Sequence, residues 1–265
     1  MRDDFTMIIK KIPNNRNIKI YPISDVHLGA IEHMEKEWEE FRKRVEKEED
    51  SYIILAGDLI NNGIRTSVGN PFDQTMRPRE QKKLMIEHLE PLRDKILCMV
   101  GGNHERRTTR DTDESPSYDI ACKLDLEEVY RENLAFLKIQ FGKQDGNGTR
   151  NPTYTFAVTH GAGSSIYTTN AAMRGERFGM AIDGIDVMVL GHIHKPQDFP
   201  VGKYLVDGHN NKVSVKPYEV FVCTSWLKYS GYAAQKMLSP TVFSPADITL
   251  HGKKKAIEIS RTLNF

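Results

Sequence analysis

Lys19-Ile20-Tyr21-Pro22-Ile23-Ser24-Asp25-Val26-His27 sets a short apolar run directly before an aspartate and a histidine. A run of that length reads as a buried β-strand, and the polar residues after it fall where the strand ends. The arrangement recurs. Tyr52-Ile53-Ile54-Leu55-Ala56 precedes Gly57-Asp58, and Ile96-Leu97-Cys98-Met99-Val100 precedes Gly102-Asn103-His104-Glu105. Thr155-Phe156-Ala157-Val158-Thr159 precedes His160-Gly161, and Val187-Met188-Val189-Leu190 precedes Gly191-His192-Ile193-His194. Ligand-type residues that recur at strand ends are expected to collect along one edge of a sheet.

Around these runs, strand candidates alternate with amphipathic helices through roughly the first 190 residues, the rhythm of a sheet with helical crossovers. Met34, Trp38, Phe41 and Val45 lie on one face of a helix expected over Met34 to Asp50. A second helix, Arg79 to Arg93, lines up Met85, Leu89 and Leu92, with Pro91 marking its last turn or a kink. Ser115-Pro116 reads as the cap and first turn of a third, short helix. From residue 196 onward, short strands with turn chemistry take over: Tyr204-Leu205-Val206, Asp207-Gly208, Val213-Ser214-Val215 and Glu219-Val220-Phe221-Val222-Cys223. This part, 196–265, is expected to form a second, hairpin-rich sheet closed by a strand over Lys255 to Ser260. The fold class is therefore α/β, a four-layer sandwich of two mixed β-sheets flanked by helices. No linker interrupts residues 1–265, which read as a single domain with its motif-bearing part at 18–194.

Three connections read as long or irregular: Ile60 to Pro78, Glu105 to Ser117, and Gly161 to Thr169. Such loops in a compact domain more often serve function than not, and they are expected to wall a substrate cleft. Gly142 to Pro152 is polar and glycine/asparagine-rich, as a plain hairpin turn would be.

Lys and Arg (37) nearly cancel Asp and Glu (36), so no global field would hold the chain on a polyanion or an anionic membrane. Any nucleic-acid contact must be a local patch. No stretch approaches the roughly eighteen apolar residues of a membrane-crossing helix, and Met1-Arg2-Asp3-Asp4 does not begin a basic-then-apolar leader. Cys98, Cys122 and Cys223 are scattered and odd in number, which favours buried free thiols in a reducing cytoplasm over zinc or disulfide chemistry.

Of nine histidines, His27, His104, His160, His192 and His194 fall within the motifs. One histidine alone is ordinarily a core or surface residue; five at strand ends, beside two aspartates and an asparagine, point to metal. His33, His88, His209 and His251 keep the ordinary reading. Imidazole, carboxylate and amide oxygen without thiolate suit manganese first, with iron, nickel or zinc as alternatives. Asp58 can give one oxygen to each of two divalent ions and so hold them about 3.5 to 4 Å apart. Two such ions, less Asp25, Asp58 and a bridging hydroxide, retain about one positive charge. The site thus wants an anion, and a metal-activated water attacking phosphorus in line would hydrolyse a phosphoester.

The order and types of these motifs, over Ile18 to His194, resemble the calcineurin-like metallophosphoesterase superfamily. The resemblance implies a pair of mixed sheets sandwiched by helices. It implies that Asp25, His27, Asp58 and His194 hold one ion, and Asp58, Asn103, His160 and His192 the other. It also implies that His104 is the catalytic acid, protonating the leaving oxygen. Asp25-Val26-His27-Leu28-Gly29 is similar to the opening motif of nucleases of the Mre11 and SbcD type, whereas Gly102-Asn103-His104-Glu105 also occurs in protein Ser/Thr phosphatases. Those phosphatases carry an arginine shortly after the second motif, where this chain has Leu59-Ile60-Asn61-Asn62-Gly63. Arg106 and Arg107, with Arg110, Arg174 and Arg177, are the candidates for phosphate binding. The expected function is a phosphodiesterase acting on nucleic acid, DNA or RNA, or on nucleotides. The alternatives are a phosphomonoesterase and a non-catalytic interaction module. The oligomeric state stays open, a homodimer included, and Trp226, Tyr229 and Tyr232 read as core or as a dimer patch.

Overall fold

The structure, a computed structural model, describes residues 5–67, 70–142, 151–163, 167–229, 233–234, 237 and 239–261. Its strands are β1 (Met7–Ile12), β2 (Ile18–Ile23), β3 (Ser51–Ala56), β4 (Ile96–Val100), β5 (Tyr130–Arg131), β6 (Leu134–Phe141), β7 (Thr153–Thr159), β8 (Val187–Leu190), β9 (Gln197–Asp207), β10 (Lys212–Val222), β11 (Ala246–Leu250) and β12 (Ile257–Arg261). Its helices are α1 (Glu35–Lys47), α2 (Pro78–Leu89), α3 (Asn103–Thr112), α4 (Pro116–Lys123) and α5 (Thr168–Met180). The strands form two six-stranded sheets, ordered β12-β11-β2-β3-β4-β5 and β1-β6-β7-β8-β10-β9. Both are mixed: β2 through β5 run parallel with β11 and β12 antiparallel beside them, and β7, β8 and β10 run parallel between antiparallel neighbours.

All five apolar runs form strands, and β8 coincides with Val187–Leu190. They are distributed differently from the expectation of one collecting edge. β2, β3 and β4 lie in one sheet, β7 and β8 in the other. Nor does the second half of the chain build a sheet of its own. β9 and β10 extend the sheet of β8, while β11 and β12 join β2 across most of the chain's length. The short strands read at 204–206, 213–215 and 219–223 merge into one long hairpin whose turn follows Asp207.

The two sheets share a core in which Ile20, Ile54 and Met99 join Phe156, Val158, Val187, Val189 and Phe221. Helix α1 buries Trp38, Phe41 and Val45, each removal from water stabilising by about 1.5–3 kcal/mol. Met85 and Leu89 of α2 are buried as read, and Pro91 falls in a 3-10 turn, Glu90–Lys95, that ends the helix. Helix α5 covers the outer face of the second sheet over Met188, Leu190, Val220 and Val222. Ser115 caps α4 by accepting from the Tyr118 amide at 3.3 Å.

Glu105 to Ser117 is not a loop: α3 occupies 103–112. Its sequence is polar on every face and it buries only Glu105, so hydrophobic periodicity has nothing to detect. It is instead held by its ends, with Gly102 before it and Asp113 closing it in the left-handed conformation (φ 63°). The described residues between Ile60 and Pro78 are irregular as expected. Most of the Gly142–Pro152 turn, Ser164–Ile166 within Gly161–Thr169, Tyr232 and Met1–Asp4 lie outside the described residues, although β6 and β7 pair antiparallel on either side of the first. Trp226 is core, packed against Trp38, Phe41 and Phe243, and Tyr229 is exposed.

Candidate metal centre

Parallel strands end at the same side of a sheet, so β2, β3 and β4 deliver Asp25–His27, Asp58 and Asn103–His104 together, and β7 and β8 deliver His160 and His192–His194 opposite them. The loops brace one another through the backbone. The Asp25 amide donates to Gly57 O, the His27 amide to Asp58 O (both 3.0 Å), and the Gly191 amide to His160 O (3.2 Å). Asp25, His27, Asp58, His192 and His194 all take left-handed φ, between 48° and 71°. Each is a conformation costing of order 1 kcal/mol or more for a side chain with a Cβ, and the surrounding hydrogen bonds hold them there. Gly102 allows a close approach: a Cβ on it would stand 2.1 Å from both Asp58 N and Asp58 Oδ1.

Asp25 and Asp58 are fully buried. Asp58 Oδ1 accepts from the His104 amide at 2.8 Å, and its Oδ2 lies 3.3 Å from His160 Nε2 and 3.8 Å from the Nε2 of both His27 and His104. Asp25 Oδ2 accepts from the His192 amide at 2.9 Å, and its Oδ1 is 2.9 Å from His194 Nε2 and 3.7 Å from His27 Nε2. The ligand atoms fall into three groups, each within 4.8 Å: Asp25, His27 and His194; His27, Asp58 and His104; and Asp58, His160 and His192. His27 and Asp58 each belong to two of them and link the three.

This donor set fits divalent ions. His160 Nδ1 donates to Ala56 O at 2.8 Å, which leaves Nε2 as an acceptor facing another acceptor, Asn103 Oδ1, at 2.8 Å. A proton or a cation between them reconciles those two lone pairs. Burial disfavours the charged His160 ring, yet the Asp58 carboxylate beside it lifts the pKa to about 9. Burial would likewise raise both carboxyls, but His194 and His27 hold Asp25, and His160 and His104 hold Asp58, well below the usual range. His104 differs. Burial pushes it down to about 3 against the pull of Asp58, and its Nδ1 donates to Asn61 O at 2.7 Å, aiming Nε2 into the site.

The structure thus brings together every motif residue. Of the arginines, Arg107 lies near enough to His104 to act on its charge, whereas Arg106 turns back to the carbonyls of Gly101 and Gly102. Arg110 pairs with Asp111, Arg174 donates to Ala162 O, and Arg177 is exposed on α5. The other histidines sit elsewhere: His33 on Val26 O, His88 accepting from Trp38, His209 in the exposed β9–β10 turn, and His251 beside Glu258.

Two supporting residues escaped the sequence reading. Glu105 Oε1 accepts from the Leu59 and Ile60 amides (2.7 and 3.1 Å), fixing the turn after Asp58; burial and the Asp58 charge push its pKa up to about 7. Gln81, fully buried, accepts from the Asn62 amide at 2.8 Å and donates to Gln74 and to Met76 O. The available signal was a polar residue in register with Met85 and Leu89 on the buried stripe of α2.

The family profile described as Calcineurin-like phosphoesterase matches residues 18–196. The DNA polymerase II small subunit of Archaeoglobus fulgidus is 28% identical over 117 residues, an alignment covering 39% of this chain and 23% of that protein. The chain therefore spans less than a quarter of the curated relative it matches. Among solved structures, Chaetomium thermophilum Vps29 aligns over 92% of this chain and 97% of its own, with 12% identity and a TM-score of 0.38.

Proposed function

Because the chain belongs to the calcineurin-like phosphoesterase family, we propose that it is a divalent-metal-dependent phosphodiesterase acting on nucleic acid or nucleotides. The observation that carries this reading is the gathering of the donors into three groups linked through His27 and Asp58, with Asn103 beside His160. Asp25, His27, Asp58 and His194 would hold one ion and Asp58, Asn103, His160 and His192 the other, with manganese the first choice. When bound, the ions supply Lewis acidity to the phosphate and to the attacking water. The chain's own part is to orient and to move a proton. His104, anchored by Asn61 O, directs Nε2 at the leaving oxygen, and a phosphate anion alongside it favours the protonated ring that burial otherwise opposes. Arg107, beside His104, is placed to take a phosphate oxygen; Arg106, bonded to the backbone, holds the start of α3.

The DNA polymerase II small subunit relative supports the nucleic-acid arm by its name. The shared core supports reading 1–265 as one such domain. Free Cys98, Cys122 and Cys223 support a cytoplasmic setting, and among the described residues no helix is long and apolar enough to cross a membrane. A screen of manganese-loaded protein against single- and double-stranded DNA, RNA, cyclic nucleotides, and nitrophenyl mono- and diesters tests the proposal. Preferential hydrolysis of diesters is expected. A monoester preference would replace the reading with phosphomonoesterase, and no turnover by fully loaded protein would leave an interaction module.

A further inference from the structure

The hairpin of β9 and β10 outruns its sheet. Only Glu219–Val222 of β10 pair with β8, whereas β9 and β10 pair with each other from Gln197 and Val222 out to Asp207 and Lys212. Directly opposed residues share a face, and one face of the hairpin carries Phe221 opposite Asp198, Glu219 opposite Pro200, Pro217 opposite Gly202, Val215 opposite Tyr204, and Val213 opposite Val206. At its inner end Phe221 is buried in the core between the sheets. Further out, Tyr204 is 80% exposed, Val206 71%, Val213 62% and Val215 61%. From Pro200 to Val206 and from Val213 to Pro217 this face bears no charge. Lys203, Asp207, Lys212 and Lys216 all alternate onto the other face. An inter-sheet face has been continued beyond the sheet that would cover it.

We propose that this face binds a second copy of the chain, the same face of the other hairpin stacking on it about a two-fold axis near the Val215–Tyr204 pair. A flat, uncharged, apolar strip complements itself, as an isologous interface requires. Packed sheet on sheet, the two strips remove on the order of 1,000 Å² from water, about the least a specific interface needs. The charges on this face agree with a two-fold. Asp198 and Glu219 stand at its base, and an antiparallel stack, which sets the tip of one hairpin over the base of the other, keeps the carboxylates of the two copies apart. A bare two-stranded arm is also marginal in water, so covering it accounts for its regular pairing out to the tip. Because β10 runs parallel to β8, the tip lies at the end of the sheet away from His192 and His194, and the pairing leaves the metal centre open.

Sedimentation equilibrium over a wide protein concentration range decides the matter. The wild-type chain is expected to dimerise, and Val206→Asp with Val215→Asp to yield a monomer whose circular dichroism and metal content are unchanged, since both side chains are largely exposed. A wild-type chain that remains monomeric overturns the proposal and leaves the face to a different protein. So does a dimer indifferent to the two aspartates.

Discussion

At the scale of single residues, the centre depends as much on what is absent as on its donors. Gly102 lies so close to Asp58 that a methyl group there would displace the carboxylate or its amide. Gly102→Ala is expected to keep the fold and lose at least one tightly held ion, which metal analysis of purified protein measures; two retained ions at wild-type affinity would contradict it. The His104 ring packs on that of His27, centroids 4.3 Å apart, and stands 3.8 Å from Asp58; its amide bond to Asp58 survives truncation of the side chain, so His104→Ala should leave the ions in place. For His104→Ala we expect turnover on alkyl esters to fall by about 10²–10⁴, the usual worth of a general acid, with much less effect on nitrophenyl esters, whose leaving group needs no proton. Equal losses on both would assign His104 a positioning role alone.

At the scale of elements, what can be read from sequence follows from how each element is held. The five motif-bearing strands are continuous apolar runs, and α1 and α2 carry apolar stripes, so burial wrote their signature into the chain. Helix α3 is held by its ends and by the bonds of Glu105, which leave no periodic trace. That is also why the roles of Arg106 and Arg107 could not be told apart in advance: once α3 is a helix, adjacent residues point in different directions. Two buried polar contacts between elements make their own expectations. Gln81→Leu strands the Asn62 amide and loosens the 60–78 connection, and should cost about 1–3 kcal/mol in denaturant unfolding. His88 on α2 accepts from Trp38 of α1 at 3.1 Å, and burial, with Arg42 and His33 nearby against Glu39, lowers its pKa to about 4. The unfolded chain takes up this proton near pH 6.5, the native one not until about 4, so stability should fall as pH drops through that window. With the ring half exposed, the loss is about 1–2 kcal/mol after solvent screening. Unfolding curves of His88→Gln should be flatter over the same range; a parallel pH dependence would count against this residue as the source.

Across the whole molecule, neighbours within each sheet come from distant parts of the chain, β2 beside β11 and β1 beside β6. No local pattern encodes those pairings, so the assignment of strands to sheets was beyond the sequence even where the strands themselves were plain. The donors divide along the same line: Asp25, His27, Asp58 and Asn103 extend from one sheet and His160, His192 and His194 from the other. Ions held there bind only the folded state, and manganese in large excess over its dissociation constant should raise stability by about 2.7 kcal/mol at a hundredfold excess. Thermal unfolding with and without chelator reads this directly, and an unchanged midpoint would contradict it.

That division has a mechanical meaning. Each ion would be a rivet through two plates, so taking it out frees a seam as well as emptying a pocket. Amide exchange should then quicken on both sides of the seam at once, at the ends of β2 and β3 and at the ends of β7 and β8, while the far end of the β9–β10 arm keeps its own pace.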